Sequence, residues 1–252
     1  MSANLRIETD NGIAIVRLCR SDKFNALSNA LRDEIETAFH NLAADNAIVA
    51  AVLTHDGPHF SVGYDLEEVM ATELASFNHR PVEYHAAVYC FPKPLIGAYS
   101  GFVLAGGFDL ALAADYIIAG ERSVFGHPEL KFGAPPLVTT LARKIGPARA
   151  LELIWKGDNL PAKKALAAGF VNEIQTEVEL LPRAKKIAAK MGSHDAQSLK
   201  LTKRFANQLF TGDVRENLAR EFKAFAEETD APALLGRIRN YYDSLRLKQG
   251  PQ

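Results

Sequence analysis

Three stretches of this chain end an apolar run in small residues and follow it with an acid. They are His59-Phe60-Ser61-Val62-Gly63-Tyr64-Asp65-Leu66, Ser100-Gly101-Phe102-Val103-Leu104-Ala105-Gly106-Gly107-Phe108-Asp109-Leu110-Ala111, and Val124-Phe125-Gly126-His127-Pro128-Glu129-Leu130. Gly63 and the Gly106-Gly107 pair let backbone approach a ligand with no Cβ in the way. Each precedes a segment that reads as a helix, whose first amides lack intrahelical acceptors and favour negative charge. Two such N–H groups aimed at one point would hold an oxyanion. Asp109 and Glu129 offer two carboxylates from separate segments, a usable acid/base pair. Taken singly, each signal has a plainer reading: Gly-Gly before a helix as a packing device, a strand-end acid as a cap.

Other chemistries find less support. Gly106-Gly107 lacks dinucleotide-fingerprint spacing, and no Gly-x-x-x-x-Gly-Lys-Ser/Thr occurs. In Gly97-Ala98-Tyr99-Ser100-Gly101 the serine stands one place late for a nucleophile elbow. The seven histidines are scattered without metal-ligand spacing and read as solvated or capping. His127, beside Glu129, is a partial exception, but it too reads as an ordinary surface or supporting residue. Trp155 and the Phe/Tyr stripes read as core.

The elements that must position these residues form an α/β pattern. Leu5–Thr9 and Ile13–Leu18 flank Asp10-Asn11-Gly12, a hairpin signal. Ser28 can cap a helix whose apolar face is Leu31, Ile35, Ala38, Phe39 and Leu42. Ala47–Thr54 reads as a buried strand, Leu66 to Tyr89 as a helical stretch broken near Arg80-Pro81, and Leu95–Tyr99 as a strand. A helix over about 105–113 and a strand around Tyr116–Ala119 follow. The alternation predicts roughly parallel strands joined by helices. From Glu177 onward helical patterns dominate, and Leu218, Phe222, Phe225 and Ala226 share one apolar face.

The 252 residues carry 29 Lys+Arg against 30 Asp+Glu, a net charge of −1, with 48% apolar and 23% charged residues. That balance supplies no long-range pull toward nucleic acid or anionic membrane. The short basic groups Lys185-Lys186, Lys200 and Lys203-Arg204 read as solvated helix faces. Cys19 and Cys90 form no disulfide framework, and no signal-peptide pattern or membrane-length apolar run occurs. The expectation is a soluble cytoplasmic protein.

Together with Arg20-Ser21-Asp22-Lys23-Phe24-Asn25-Ala26-Leu27-Ser28, Arg149-Ala150-Leu151-Glu152-Leu153 to Gly157-Asp158, and Ala167-Ala168-Gly169-Phe170-Val171, the three stretches resemble the crotonase (enoyl-CoA hydratase/isomerase) family. The resemblance covers about the first three quarters of the chain clearly. It implies a ββα spiral core over 1–190 and a C-terminal helical region over 191–252 that is not independent and drives trimers, often dimers of trimers. It implies an acyl-CoA thioester as substrate, with CoA entering as part of it, no metal or redox cofactor, and a place in fatty-acid metabolism. The oxyanion amides map onto Tyr64 and Gly106, and the catalytic carboxylates onto Asp109 and Glu129. Lys23, Phe24, Ser61, Val62, Gly63 and Leu137 map onto the substrate-binding surface.

The sequence departs from the family at two places. Asp109 stands where hydratases have Glu, which retracts the carboxylate by roughly 1.5 Å, and about 1 Å of misplacement can cost a hundredfold in rate. The loop Gly133-Ala134-Pro135-Pro136-Leu137-Val138-Thr139-Thr140 carries two prolines and apolar bulk where the family is Gly-rich. The first reading is hydration of a 2-trans-enoyl-CoA to a 3-hydroxyacyl-CoA. Glu129 would be the principal acid/base there, Asp109 would orient water, and Tyr64's ring would shape the pocket. The alternative is a 3-enoyl- to 2-enoyl-CoA isomerase using Glu129 alone, or another crotonase-type reaction. A binding protein that has lost catalysis is disfavoured, because two unpaired acids near a dry pocket would gain it little.

Overall fold

The computed structural model describes residues 4–71, 81–132 and 134–208. Strands β1 (Leu5–Asp10) and β2 (Ile13–Leu18) form the antiparallel hairpin that the Asn11-Gly12 pair dictates. Both turn residues sit at positive φ, 49° and 77°, the geometry whose twist matches the flanking strands. Helix α1 (Asn29–Ala44) then crosses to β3 (Ala50–His55), which runs parallel to β2. Ser28 Oγ accepts the Leu31 N–H at 3.2 Å as its N-cap, and Leu31, Ile35, Ala38, Phe39 and Leu42 are the buried face.

After α2 (Leu66–Ala71) and α3 (Pro81–Tyr89) the chain repeats a simple unit. Strand β4 (Leu95–Tyr99) joins the main sheet, the short β5 (Phe102–Leu104) turns away from it, and α4 (Gly106–Ala111) follows. The next unit is β6 (Tyr116–Gly120), β7 (Val124–Gly126) and a 3-10 turn over Pro128–Phe132. The first strand of each unit enters one sheet of order β1-β2-β3-β4-β6-β9, with β9 at Glu173–Gln175. Every pairing in that sheet except β1 with β2 is parallel. The second strands form a smaller sheet, β5-β7-β8, with β8 at Leu160–Pro161. Ser61 bridges to Val103, and Val103 pairs with Phe125. The three stretches singled out in the sequence are thus equivalent points on successive turns of one spiral.

Helices α5 (Val138–Ile145), α6 (Pro147–Lys156) and α7 (Ala162–Ala168) follow, and α8 (Leu180–Gly192) covers the main sheet. Leu180, Ala184 and Ala188 of α8 pack on Ile13, Ala50, Val52, Ile96, Ala98 and Ile118, while the opposite face meets the larger core around Phe39, Phe60, Phe91 and Tyr99. β3 is buried at every position, as a parallel strand covered on both faces must be. The chain divides into compact units after His194. In the second, Asp195 accepts from the Ser198 amide and hydroxyl at the start of α9 (Ala196–Gln208). The apolar face expected at Leu218, Phe222, Phe225 and Ala226 lies outside the described residues. Among the described residues no helix is long and apolar enough to cross a membrane.

Two side-chain expectations are corrected. Trp155 is 73% exposed, because α6 turns Ala150 and Ile154 inward and the indole lies one position off that face. His55 is not a solvated turn residue. It ends β3 inside the core, where its Nε2 accepts the Ser100 N–H at 3.0 Å. Burial holds its pKa down at about 4.

Candidate active site

The turn after each second strand supplies one piece of the site. Leu27 bridges to Tyr64, with Leu27 N–H donating to the Gly63 carbonyl at 2.8 Å, so the 20–28 loop lies along the Gly63-Tyr64 turn. Arg20 fastens this arrangement by donating to the Ala26 carbonyl at 2.7 Å and to Asp65 at 2.8 Å. Lys23 and Phe24 project from that loop, and Lys23 Nζ reaches Glu67 Oε2 at 3.5 Å. Phe24 is 52% exposed. Ser61 is fully buried, and its hydroxyl donates to the Asn25 carbonyl at 2.8 Å and accepts the Gly63 N–H at 3.2 Å. Its side chain therefore shapes the turn. Val62 is half-buried, and Leu137, ahead of α5, is 46% exposed.

Gly63 is the contact point between two turns. A Cβ there would lie 2.6 Å from the Ala105 Cβ and 3.2 Å from the Gly106 nitrogen, at a φ of +100° that side chains avoid. The Tyr64 and Gly106 turns are thereby brought together. Gly106 opens α4, where its N–H has no intrahelical acceptor. The Tyr64 ring lies on Gly106, since a Cβ at Gly106 would fall 2.9 Å from the ring. The Arg32 guanidinium lies 5.1 Å from the ring centroid. The Tyr64 hydroxyl meets that of Tyr84 at 3.2 Å, and Tyr84 meets His85 Nε2 at 3.1 Å. Burial raises the Tyr64 pKa, so the ring is a neutral, fixed wall.

Ala105 joins β5 to α4 with φ 51° and ψ −135°, a conformation that costs a residue with a Cβ on the order of 1–3 kcal/mol. Ala105→Gly should relieve this strain and raise stability by about 1 kcal/mol, once the added freedom of an unfolded glycine is subtracted. Urea unfolding measures it, and an unchanged or lower midpoint would remove the claim that this turn is strained.

The two carboxylates do come together, with a third group between them. Asp109, on α4, is buried and accepts the Thr140 hydroxyl at 2.6 Å. The Tyr89 hydroxyl donates to the Asp109 carbonyl at 2.7 Å. Glu129 sits in the 3-10 turn, its side chain 13% exposed against 3% for Asp109. His127 is buried between them, correcting its surface reading. Its Nε2 is 3.8 Å from Asp109 Oδ1, and its Nδ1 is 3.6 Å from Glu129 Oε2. The Phe108 ring packs on the imidazole at 4.9 Å. Burial pushes the Asp109 carboxyl up to about 7, with the Glu129 charge adding to the shift while His127 and the Thr140 hydrogen bond oppose it.

One ligand atom from each of Asp109, His127 and Glu129 lies within 4.8 Å of the others, so histidine and acids far apart in sequence do cluster. The imidazole turns opposite nitrogens toward the two acids, however, which suits sharing protons better than chelating one ion. Thr140, Tyr84, Tyr89 and Arg32 carry no sequence signal for this role. Their proximity is created by α1, α3 and α5 converging on the spiral.

The repeated strand–strand–helix turn, with its glycine-lined junctions, is the crotonase-type spiral fold. A crystal structure of an enoyl-CoA hydratase subunit I from Geobacillus kaustophilus HTA426 superposes with a TM-score of 0.85 at 26% identity, covering 99% of this chain and 97% of that one. The family model for enoyl-CoA hydratase/isomerase matches residues 8–233, and the chain belongs to that family. A probable mitochondrial enoyl-CoA hydratase of Dictyostelium discoideum is 32% identical over 86% of this chain and 80% of its own length. A short-chain-enoyl-CoA hydratase of Clostridium acetobutylicum is 31% identical over 89% and 88%.

Proposed function

We propose that this protein is an enoyl-CoA hydratase, a lyase that adds water across the double bond of a 2-trans-enoyl-CoA to give a 3-hydroxyacyl-CoA. The observation that carries the reading is the juxtaposition of the Gly63-Tyr64 and Ala105-Gly106 turns with two carboxylates on the next segments of the spiral. In this reading the Tyr64 and Gly106 amides take the thioester oxygen and stabilise the enolate-like charge that develops on it. Each such donor is worth on the order of 3 kcal/mol in the transition state. Glu129, the more exposed acid, moves the proton to or from water at the reacting carbons, and Asp109 completes the pair. Lys23 and Phe24, beside the Tyr64 turn, line the CoA portion with Ser61, Val62 and Gly63, and Leu137 faces the acyl side. CoA arrives with the substrate, and amides and carboxylates supply the chemistry without a resident cofactor. Family membership supports a homotrimer or a dimer of trimers, which sedimentation of the purified protein checks.

The test is loss of the enoyl-thioester ultraviolet absorbance when purified protein meets 2-enoyl-CoAs of graded chain length. A second reading, isomerisation of a 3-enoyl-CoA, draws on the near-complete burial of Asp109, which leaves Glu129 as the acid within reach of substrate. It requires absorbance to appear from a 3-enoyl-CoA with no loss from a 2-enoyl-CoA. Silence with both substrates would end both readings.

The ring of Tyr64 fills space at the residue whose amide holds the thioester oxygen, so acyl groups should be short. Tyr64→Ala should raise kcat/KM for long relative to short enoyl-CoAs by about tenfold or more, since each buried methylene is worth about 0.8 kcal/mol. An unchanged chain-length profile would place the acyl chain elsewhere.

A further inference from the structure

We infer that His127 is a positioning residue that joins Asp109 and Glu129 into a single acid–base unit holding two protons. The geometry is a buried cluster: Asp109 Oδ1 lies 3.8 Å from Nε2, Glu129 Oε2 lies 3.6 Å from Nδ1, and one oxygen of each acid lies within 4.8 Å of the other. Among the described residues neither imidazole nitrogen nor Glu129 Oε2 has a hydrogen-bond partner. Polar atoms so placed are costly unless they serve each other, and a small closure of either gap makes the bond.

A proton count follows from the two facing nitrogen–oxygen pairs. Each needs one proton between its atoms, because two lone pairs repel and two protons clash. Two protons therefore satisfy the cluster. They sit either as an imidazolium between two carboxylates, or as a neutral imidazole with one carboxylic acid, and both arrangements carry a net charge of −1. A proton can move within the cluster with no change in net charge, so one acid can be protonated while the other is a base. Two carboxylates alone would share a single proton; the imidazole lets the same pair hold a second. The cluster also explains how Asp109, nearly sealed from solvent, can take part: it stands beside Glu129 and shares the same imidazole.

The other groups facing this cluster are Thr140 of α5, Tyr84 and Tyr89 of α3, and Tyr64, with Arg143 acting on Tyr89 and Arg32 of α1 over the Tyr64 and Tyr84 rings. None is altered by substitution at His127, so a change in the Asp109 titration reports the imidazole.

The catalytic use of this unit rests on the hydratase reading, whereas its proton sharing does not. The first experiment is a pH titration of the Asp109 carboxylic C=O band by difference infrared spectroscopy on the resting full-length protein, assigned with Asp109→Asn. The midpoint should rise by about one pH unit or more in both His127→Leu and His127→Gln, because either change removes the imidazole that lowers the Asp109 carboxyl. The second is kinetics on a 2-enoyl-CoA. His127→Leu should lower kcat about tenfold or more with KM within about twofold. His127→Gln, whose amide can hydrogen-bond to both acids but cannot pass a proton between them, should recover little of the loss. An unmoved midpoint in both variants would overturn the proposal, and so would a loss confined to KM. If the wild-type protein turns over no acyl-CoA, the hydratase reading fails while the infrared titration still decides whether the cluster shares its protons.

Discussion

Glu129→Gln should lower kcat on a 2-enoyl-CoA by about 10²–10⁴-fold, the range for removing a positioned general acid/base, while KM should move little. The substitution keeps side-chain length and hydrogen-bonding capacity but cannot exchange a proton at the reacting carbons. Its backbone is held by the Ala134 N–H, which donates to the Glu129 carbonyl at 3.1 Å, and Pro128 fixes the turn before it. The loss is therefore chemical and not a collapse of the turn, and an unchanged melting temperature should accompany it. The same variant decides between acids. Hydration should also suffer substantially from Asp109→Asn, whereas isomerisation should tolerate that change. A Glu129→Gln protein retaining wild-type turnover would remove the catalytic assignment altogether.

Asp109→Asn has a second and opposite effect, on stability. Burial raises the Asp109 pKa from 3.8 to about 7 in the folded chain. Between these values the folded state binds a proton that the unfolded state has released, so stability falls as pH rises through the window. The full cost above pH 7 is about 4 kcal/mol at 1.36 kcal/mol per unit. Asn escapes that cost while still accepting the Thr140 hydroxyl. The variant should therefore match the wild type near pH 4 and exceed it by about 2–4 kcal/mol at pH 8.

His55 works in the other direction. Its pKa falls from 6.5 to about 4 on folding because its Nε2 is buried and must stay unprotonated to accept from Ser100. The unfolded state then binds the extra proton between pH 4 and 6.5, so stability rises with pH there by about 3 kcal/mol. In the wild type the two slopes oppose each other. In Asp109→Asn the His55 slope, to which the lowered His59 pKa adds in the same direction, should no longer be offset by Asp109. Denaturant unfolding at pH 4, 5.5 and 8 reads all three expectations, and a variant no more stable than wild type at pH 8 would show that Asp109 carries no burial penalty. A carboxylate that costs stability where it sits is the signature expected of a group kept for chemistry.

What the residues alone determined is local or periodic. The Asn11-Gly12 turn, the α1 stripe from Leu31 to Leu42, the buried parallel strands and the three equivalent stretches are written in spacings of two, three or four residues. Local sterics and hydrophobic burial read such spacings directly. The glycines ahead of helices at Gly63 and Gly106-Gly107 and the carriage of Asp109 and Glu129 on separate segments also followed from residue type and order, with the family resemblance supplying the oxyanion pair and the roles. Tertiary structure decided the partners. His127 looked like surface beside an acid and is buried within 4 Å of both acids, because α4 and the turn after β7 arrive from different coils of the spiral. Trp155 looked like core and faces outward, because one position on a helix is a 100° rotation. Thr140 on Asp109, Tyr84 on Tyr64 and Arg32 over both tyrosine rings join residues 20 to 52 positions apart. No periodicity spans such distances. The acid–base state of the site follows from burial and the distances between charges, which exist only once the chain has folded.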